Sequence, residues 1–119
     1  MAGYLNDGIL VYLEGLIDWD QYFHYRKGEG VDVDAERAAL RGVLETCAEV
    51  CAEIEPLARA GGAEEARLED GEVVKPDHSR RGYELLRDAG LVSLSVKEEH
   101  GGFDLPTLIC NVVLEMVSR

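Results

Sequence analysis

The feature that most constrains this chain is an apolar stripe. Leu40, Val43, Leu44, Cys47, Val50, Cys51, Ile54 and Leu57 follow one another at steps of three and four, the spacing that puts side chains on one face of an α-helix. The pattern predicts a long helix from about Asp34 to Leu57. Asp32 or Asp34 is placed to accept from the unpaired amides of its first turn, and Glu36 is favourable near the positive helix end. Pro56 falls inside the span, so the last turn is expected to stop early or kink. Glu45, Glu49, Glu53 and Arg41 should face water.

The remaining segments are shorter. Leu5, Ile9, Leu10, Tyr12, Leu13, Leu16 and Ile17 recur at helical spacing between Tyr4 and Ile17, with Gly8 and Gly15 lowering the propensity. Trp19, Tyr22, Phe23 and Tyr25 form an aromatic cluster that is read as a packed anchor, and Arg26 to Gly30 as a loop. Ala58 to Lys75 reads as a long exposed loop, with turns at Gly61-Gly62 and Asp70-Gly71 and a brief extended piece at Glu72-Val73-Val74. Pro76-Asp77 opens a helix, with Asp77 as its cap, that stops at Gly90. After an apolar run from Leu91 to Val96 and a Gly101-Gly102 turn, Leu105-Pro106 starts a last helix carrying Leu108, Ile109, Val112, Val113, Met116 and Val117. That helix is apolar over more than half its circumference and therefore expects neighbours on two sides. The inventory is four helices and one irregular connector. It makes an all-α fold, a small helical bundle with a long loop between its second and third main helices.

A chain of 119 residues that is 46% hydrophobic supports a single domain with one core. Aspartate and glutamate number 24 against 12 lysines and arginines, and the net charge of −12 excludes nucleic acid and anionic membrane surfaces as natural partners. Three scattered cysteines fit a reducing compartment. No signal-like or membrane-length segment is present. A soluble cytoplasmic protein is expected.

Little in the chain suggests self-contained chemistry. Cys47 and Cys51 are one helical turn apart but have no third donor on their helix, and on the buried stripe they read as small hydrophobes. Cys110 stands alone. His24, His78 and His100 are dispersed, with no serine or cysteine nearby in a nucleophile motif. Glu98 and Glu99 beside His100 point in different directions along a loop, and they are all that an unrelated small helical enzyme would rest on. No glycine pattern forms a phosphate cradle. No catalytic, cofactor-binding or metal-binding residue is assigned.

One stretch adds a resemblance. Ala66-Arg67-Leu68-Glu69-Asp70-Gly71-Glu72-Val73-Val74-Lys75-Pro76, then Gly82-Tyr83, then Leu86-Arg87-Asp88-Ala89-Gly90-Leu91 and on through Gly101-Gly102 to Pro106, resembles the N-terminal helical domain of acyl-CoA dehydrogenases. The likeness is nearest to the larger subgroup that includes the 3-methylmercaptopropionyl-CoA dehydrogenases. Pro56-Leu57 and the entry helix with Leu5, Asp7, Leu10, Val11, Glu14 and Leu16 are also similar to that subgroup. The chain departs from its pattern at Gly62, Glu65, Lys97 and His100. The resemblance implies a single helical domain over 1–119, with 1–33 an N-terminal extension and 34–119 the family-like helices.

It further implies a parent or assembled enzyme that oxidises an acyl-CoA thioester to the 2,3-enoyl-CoA. In such an enzyme FAD is held by a middle β-domain and a C-terminal helical domain, and the catalytic base also lies beyond the present residues. Val117-Ser118-Arg119 fits a cleavage site inside a longer protein. The implied partners are those two domains or a second copy, meeting the apolar helix 106–117 and Tyr22-Phe23, with acyl-CoA bound only by the complete enzyme. The alternative is a non-catalytic interaction module or adaptor derived from the family.

Overall fold

A computed structural model describes residues 3–119. Its helices are α1 (Asp7–Val11), continued by a π-helical turn (Tyr12–Leu16), α2 (Trp19–Lys27), α3 (Val33–Gly61), α4 (Asp77–Asp88) and α5 (Thr107–Ser118). A hairpin of β1 (Arg67–Glu69) and β2 (Glu72–Val74) joins α3 to α4, and a 3₁₀ turn (Glu98–His100) precedes α5. The all-α bundle expected from the sequence is the observed fold, with the small hairpin as its only sheet among the described residues.

α3 is the spine. Asp32 caps it by accepting from the Ala35 amide at 3.1 Å, and Leu40, Leu44, Cys47, Ala48, Val50 and Cys51 are buried along one face. The helix does not stop at Leu57. Pro56 and Ala52 both lie on the exposed side, so the hydrogen bond that proline cannot make leaves a carbonyl open to water, and the helix runs on to Gly61. α2, α4 and α5 all pack against this spine.

Three further differences from expectation appear. The aromatic segment is the packed anchor expected, but it is built as a fifth helix, α2, absent from the expected inventory of four. Asp18 accepts from the Gln21 amide at 3.0 Å and puts Trp19, Tyr22 and Phe23 on one face with ring centroids 5.1–5.8 Å apart. Trp19 and Phe23 are buried in the chain's own core and Tyr22 is half-buried, so Tyr22-Phe23 does not face outward. Upstream, the helix expected through Ile17 widens into the π turn, and the Leu13 carbonyl accepts the Trp19 indole N–H at 2.7 Å. Between α3 and α4, the expected loop contains the two-residue hairpin. Asp70 (φ 50°) and Gly71 (φ 81°) both adopt left-handed backbone, the conformation of a tight primed turn.

Asp77 does not cap α4. Pro76 occupies that position, and Asp77 pairs with Arg80 at 3.1 Å inside the first turn. At the other end the Leu91 amide donates to the Leu86 carbonyl at 2.9 Å and Gly90 sits at φ 77°, a helix stop of the kind the Gly90 signal predicted. Leu91 and Leu94 then turn into the core. Gly102 is fixed by space, since a Cβ there would lie 2.0 Å from the Val96 carbonyl oxygen.

Candidate functional site

The chemistry-bearing side chains are scattered by the fold. His24 is half-buried on α2, His78 is in the first turn of α4, and His100 is exposed at the 3₁₀ turn with its Nε2 3.5 Å from Glu99 Oε1. His78 has a structural setting. Its ring packs on Gly61 so closely that a Cβ on Gly61 would lie 2.1 Å from Nδ1, which ties the start of α4 to the end of α3. Cys47 and Cys51 face each other across one turn of α3 with sulfurs 4.0 Å apart. Burial pushes the Cys47 thiol up to about 12 and raises Cys51 as well. Cys110 is half-buried beside the Leu105 carbonyl. Among the described residues no three histidine, cysteine or acidic side chains gather in a metal-binding group.

The clefts are shallow and mixed in character. One of about 250 Å³ lies between the π turn, α2 and α3, lined by Leu13, Trp19, Leu40 and Leu44 and bordered by Arg37 and Arg41. Another of about 550 Å³ runs between α3 and α5, with Tyr4, Cys51, Glu55, Arg59, Met116 and Arg119 on its walls. There the Tyr4 hydroxyl donates to Glu55 Oε2 at 2.8 Å. That bond and the Arg59 charge lower the Glu55 carboxyl, and its carboxylate raises the Tyr4 phenol.

The N-termini of α2 and α3 hold the Asp18 and Asp32 carboxylates and α4 carries Asp77 in its first turn, whereas the first turn of α5 carries no acidic residue.

What the structure offers instead is uncovered apolar surface. The chain measures 57 × 34 × 17 Å with a radius of gyration of 17.1 Å, whereas a compact chain of this length has about 13.5 Å. At helix spacings of about 8–10 Å, the thin dimension is roughly two helices deep. Its accessible surface is 8041 Å², against about 6,400 Å² for a compact monomer of this mass. The excess, about a quarter, is roughly twice the area that one partner contributes to a standard-size protein–protein interface, about 800 Å².

The excess includes apolar side chains. Leu68 and Val73, directly opposite one another in the hairpin, are 72% and 68% exposed, and Leu114 on α5 is 64% exposed. On α5, Ile109, Val113 and Met116 are buried, leaving the Leu114 side of this mostly apolar helix open. Of the two sides on which α5 is expected to find neighbours, the chain itself covers one. Val11, Tyr12 and Leu16, at the join of α1 and the π turn, are also exposed. Sequence pattern signalled only the α5 part of this surface, through its broad apolar circumference.

No helix among the described residues is long and apolar enough to cross a membrane. No family model matches the chain, and no solved structure does. A stretch of 110 residues, 92% of the chain, is 36% identical to the 3-methylmercaptopropionyl-CoA dehydrogenase of Ruegeria pomeroyi, yet the chain spans only 18% of that enzyme's length. Over almost its whole length, then, the chain matches an acyl-CoA dehydrogenase family member, of which it corresponds to a short part.

Proposed function

We propose that this chain is the N-terminal helical part, covalent or assembled, of a flavin-dependent acyl-CoA dehydrogenase that converts an acyl-CoA thioester to the 2,3-enoyl-CoA. Its role is to supply a folded wall against which the β-domain and C-terminal helical domain close. FAD, the acyl-CoA and the catalytic base belong to those domains. The observation that carries this reading is the similarity over 92% of the chain to 18% of a dehydrogenase, and the surplus apolar surface supports it by providing something to cover.

The chain's own residues contribute position. α3 fixes the spacing of α2, α4 and α5, the His78 ring on Gly61 holds the α4 end of the hairpin, and the Gly90 to Pro106 connector sets where α5 begins. α5 and the hairpin then present Leu114, Leu68 and Val73 to the missing domains. A cytoplasmic setting accompanies this proposal.

The test is recovery of the native species from its source with an antibody against the chain, followed by intact mass, visible absorbance and acyl-CoA-dependent dye reduction. The proposal expects a polypeptide or complex several times larger than 13.1 kDa, yellow with FAD and active. A 13.1 kDa species without a flavoprotein, or a complex with an unrelated protein, would replace this reading with the adaptor.

A further inference from the structure

An Asp-Gly bond is able to react with itself. The glycine amide nitrogen attacks the aspartate side-chain carbonyl, and glycine has no Cβ to block the approach. The backbone must be free to turn for the two atoms to meet. The chain has two such bonds, Asp7-Gly8 and Asp70-Gly71, and the fold treats them oppositely. Asp7-Gly8 lies in the first turn of α1. That turn is closed by the Ile9 amide, which donates to Asn6 Oδ1 at 3.0 Å, and by the Leu10 amide, which donates to the Asn6 carbonyl at 3.1 Å. Ile9 packs against the core, so reaction there requires α1 to unwind.

Asp70-Gly71 has no such support. Residues 62–73 are all exposed, and nothing lies within 4 Å of where a Cβ on Gly71 would be. The rung beside the turn sets Glu69 against Glu72, and like charges directly opposite one another weaken a strand pair. Arg67 offsets this in part by donating from Nε to Glu69 Oε1. The hairpin packs on none of the helices to any extent, so it opens locally while the helices stay folded.

We propose that Asp70 is a site of spontaneous isoaspartate formation in the folded chain. The Gly71 nitrogen bonds to Asp70 Cγ, and the amide proton and the carboxyl hydroxyl leave together as water. Solvent water then opens the resulting succinimide ring. Attack at Cγ regenerates aspartate. Attack at the Asp70 main-chain carbonyl gives isoaspartate, in which the chain runs through the former side chain and the α-carboxylate is free. No electrons are exchanged, and the final mass equals that of the starting chain. The product lengthens the main chain by one carbon in a turn whose two residues are both left-handed, so the pairing of Leu68 with Val73 is lost. This inference stands apart from the dehydrogenase reading, since it needs only the hairpin and α1.

The experiment is prolonged incubation of the 119-residue chain in near-neutral buffer, at a temperature where circular dichroism shows it folded, followed by tryptic digestion. Cleavage after Arg26, Arg67 and Arg80 places the two sites in separate peptides, 1–26 and 68–80, and electron-transfer fragmentation distinguishes isoaspartate from aspartate. The expected result is isoaspartate at Asp70 accumulating several-fold faster than at Asp7, a preference that disappears when the chain is unfolded in urea. Asp70→Glu keeps the charge but has to close a larger, slower ring, and it should abolish the product at that position while the helices persist. Absence of isoaspartate at Asp70 would overturn the proposal. So would equal accumulation at Asp7 and Asp70 in the folded chain, or a preference for Asp70 that survives unchanged in urea.

Discussion

α3 and the hairpin that follows it are neighbours in the chain and opposites in their packing. α3 is covered by α2, α4 and α5, and a run of its residues from Leu40 to Cys51 is almost entirely withdrawn from water on one face. The hairpin has three-residue strands and packs on none of the helices to any extent. Its one apolar cross-strand pair, Leu68 with Val73, faces solvent. Two-stranded hairpins are marginal on their own in water. The contrast separates a spine covered by its own chain from an element that the described residues leave open.

Cutting the spine should have the largest effect. Leu44 is 2% exposed, and Leu44→Ala is expected to cost about 2–5 kcal/mol in urea unfolding, from lost transfer energy and the cavity left behind. Gly102→Ala should follow, at about 1–3 kcal/mol, because its Cβ and the Val96 carbonyl must move apart. Asp32→Ala removes the α3 cap and should cost about 1 kcal/mol. Smallest of all, Leu68→Ser with Val73→Ser should change the stability of the isolated chain by less than about 0.5 kcal/mol. A loss as large as that of Leu44→Ala would erase the contrast.

Alkaline pH sharpens the same comparison through α3. The Cys47 thiol is raised from 9.0 to about 12 in the folded chain, so across that interval the folded state holds a proton that the unfolded state releases. The associated stability is fully present below pH 9 and is lost as pH rises toward 12. Urea midpoints measured across that window should fall, and the fall should be shallower in Cys47→Ala. The Tyr4–Glu55 bond adds a second sign at the opposite end. Because the Glu55 carboxyl is lowered, its contribution is present above the ordinary carboxylate range and fades as acid protonates it. Tyr4→Phe should remove that part of the acid sensitivity.

Much of the spine was legible in the residues because its signal is long and periodic: eight apolar positions and an acidic cap define α3 without reference to anything else. The Gly90 stop and the Asp70-Gly71 turn were equally local, since each requires left-handed backbone. α2 was missed as a helix because Trp19, Tyr22 and Phe23 offer only one turn of periodicity, and only tertiary burial distinguishes that turn from a loose aromatic cluster. Pro56 misled for a similar reason, as its cost depends on whether the orphaned carbonyl faces water. The open surface was the least legible part. Leu68, Val73 and Leu114 resemble core residues by type, and only the assembled slab reveals that none of the described residues covers them.

The central claim is that the hairpin and the open side of α5 are covered in a larger dehydrogenase. Amide hydrogen exchange tests it most directly, measured on residues 67–74 and 107–118 in the isolated chain and in the native flavoprotein. The account predicts fast exchange of the hairpin amides in the isolated chain and strong protection in the flavoprotein, with α3 amides protected in both. Equal exchange of the hairpin in the two states would contradict it.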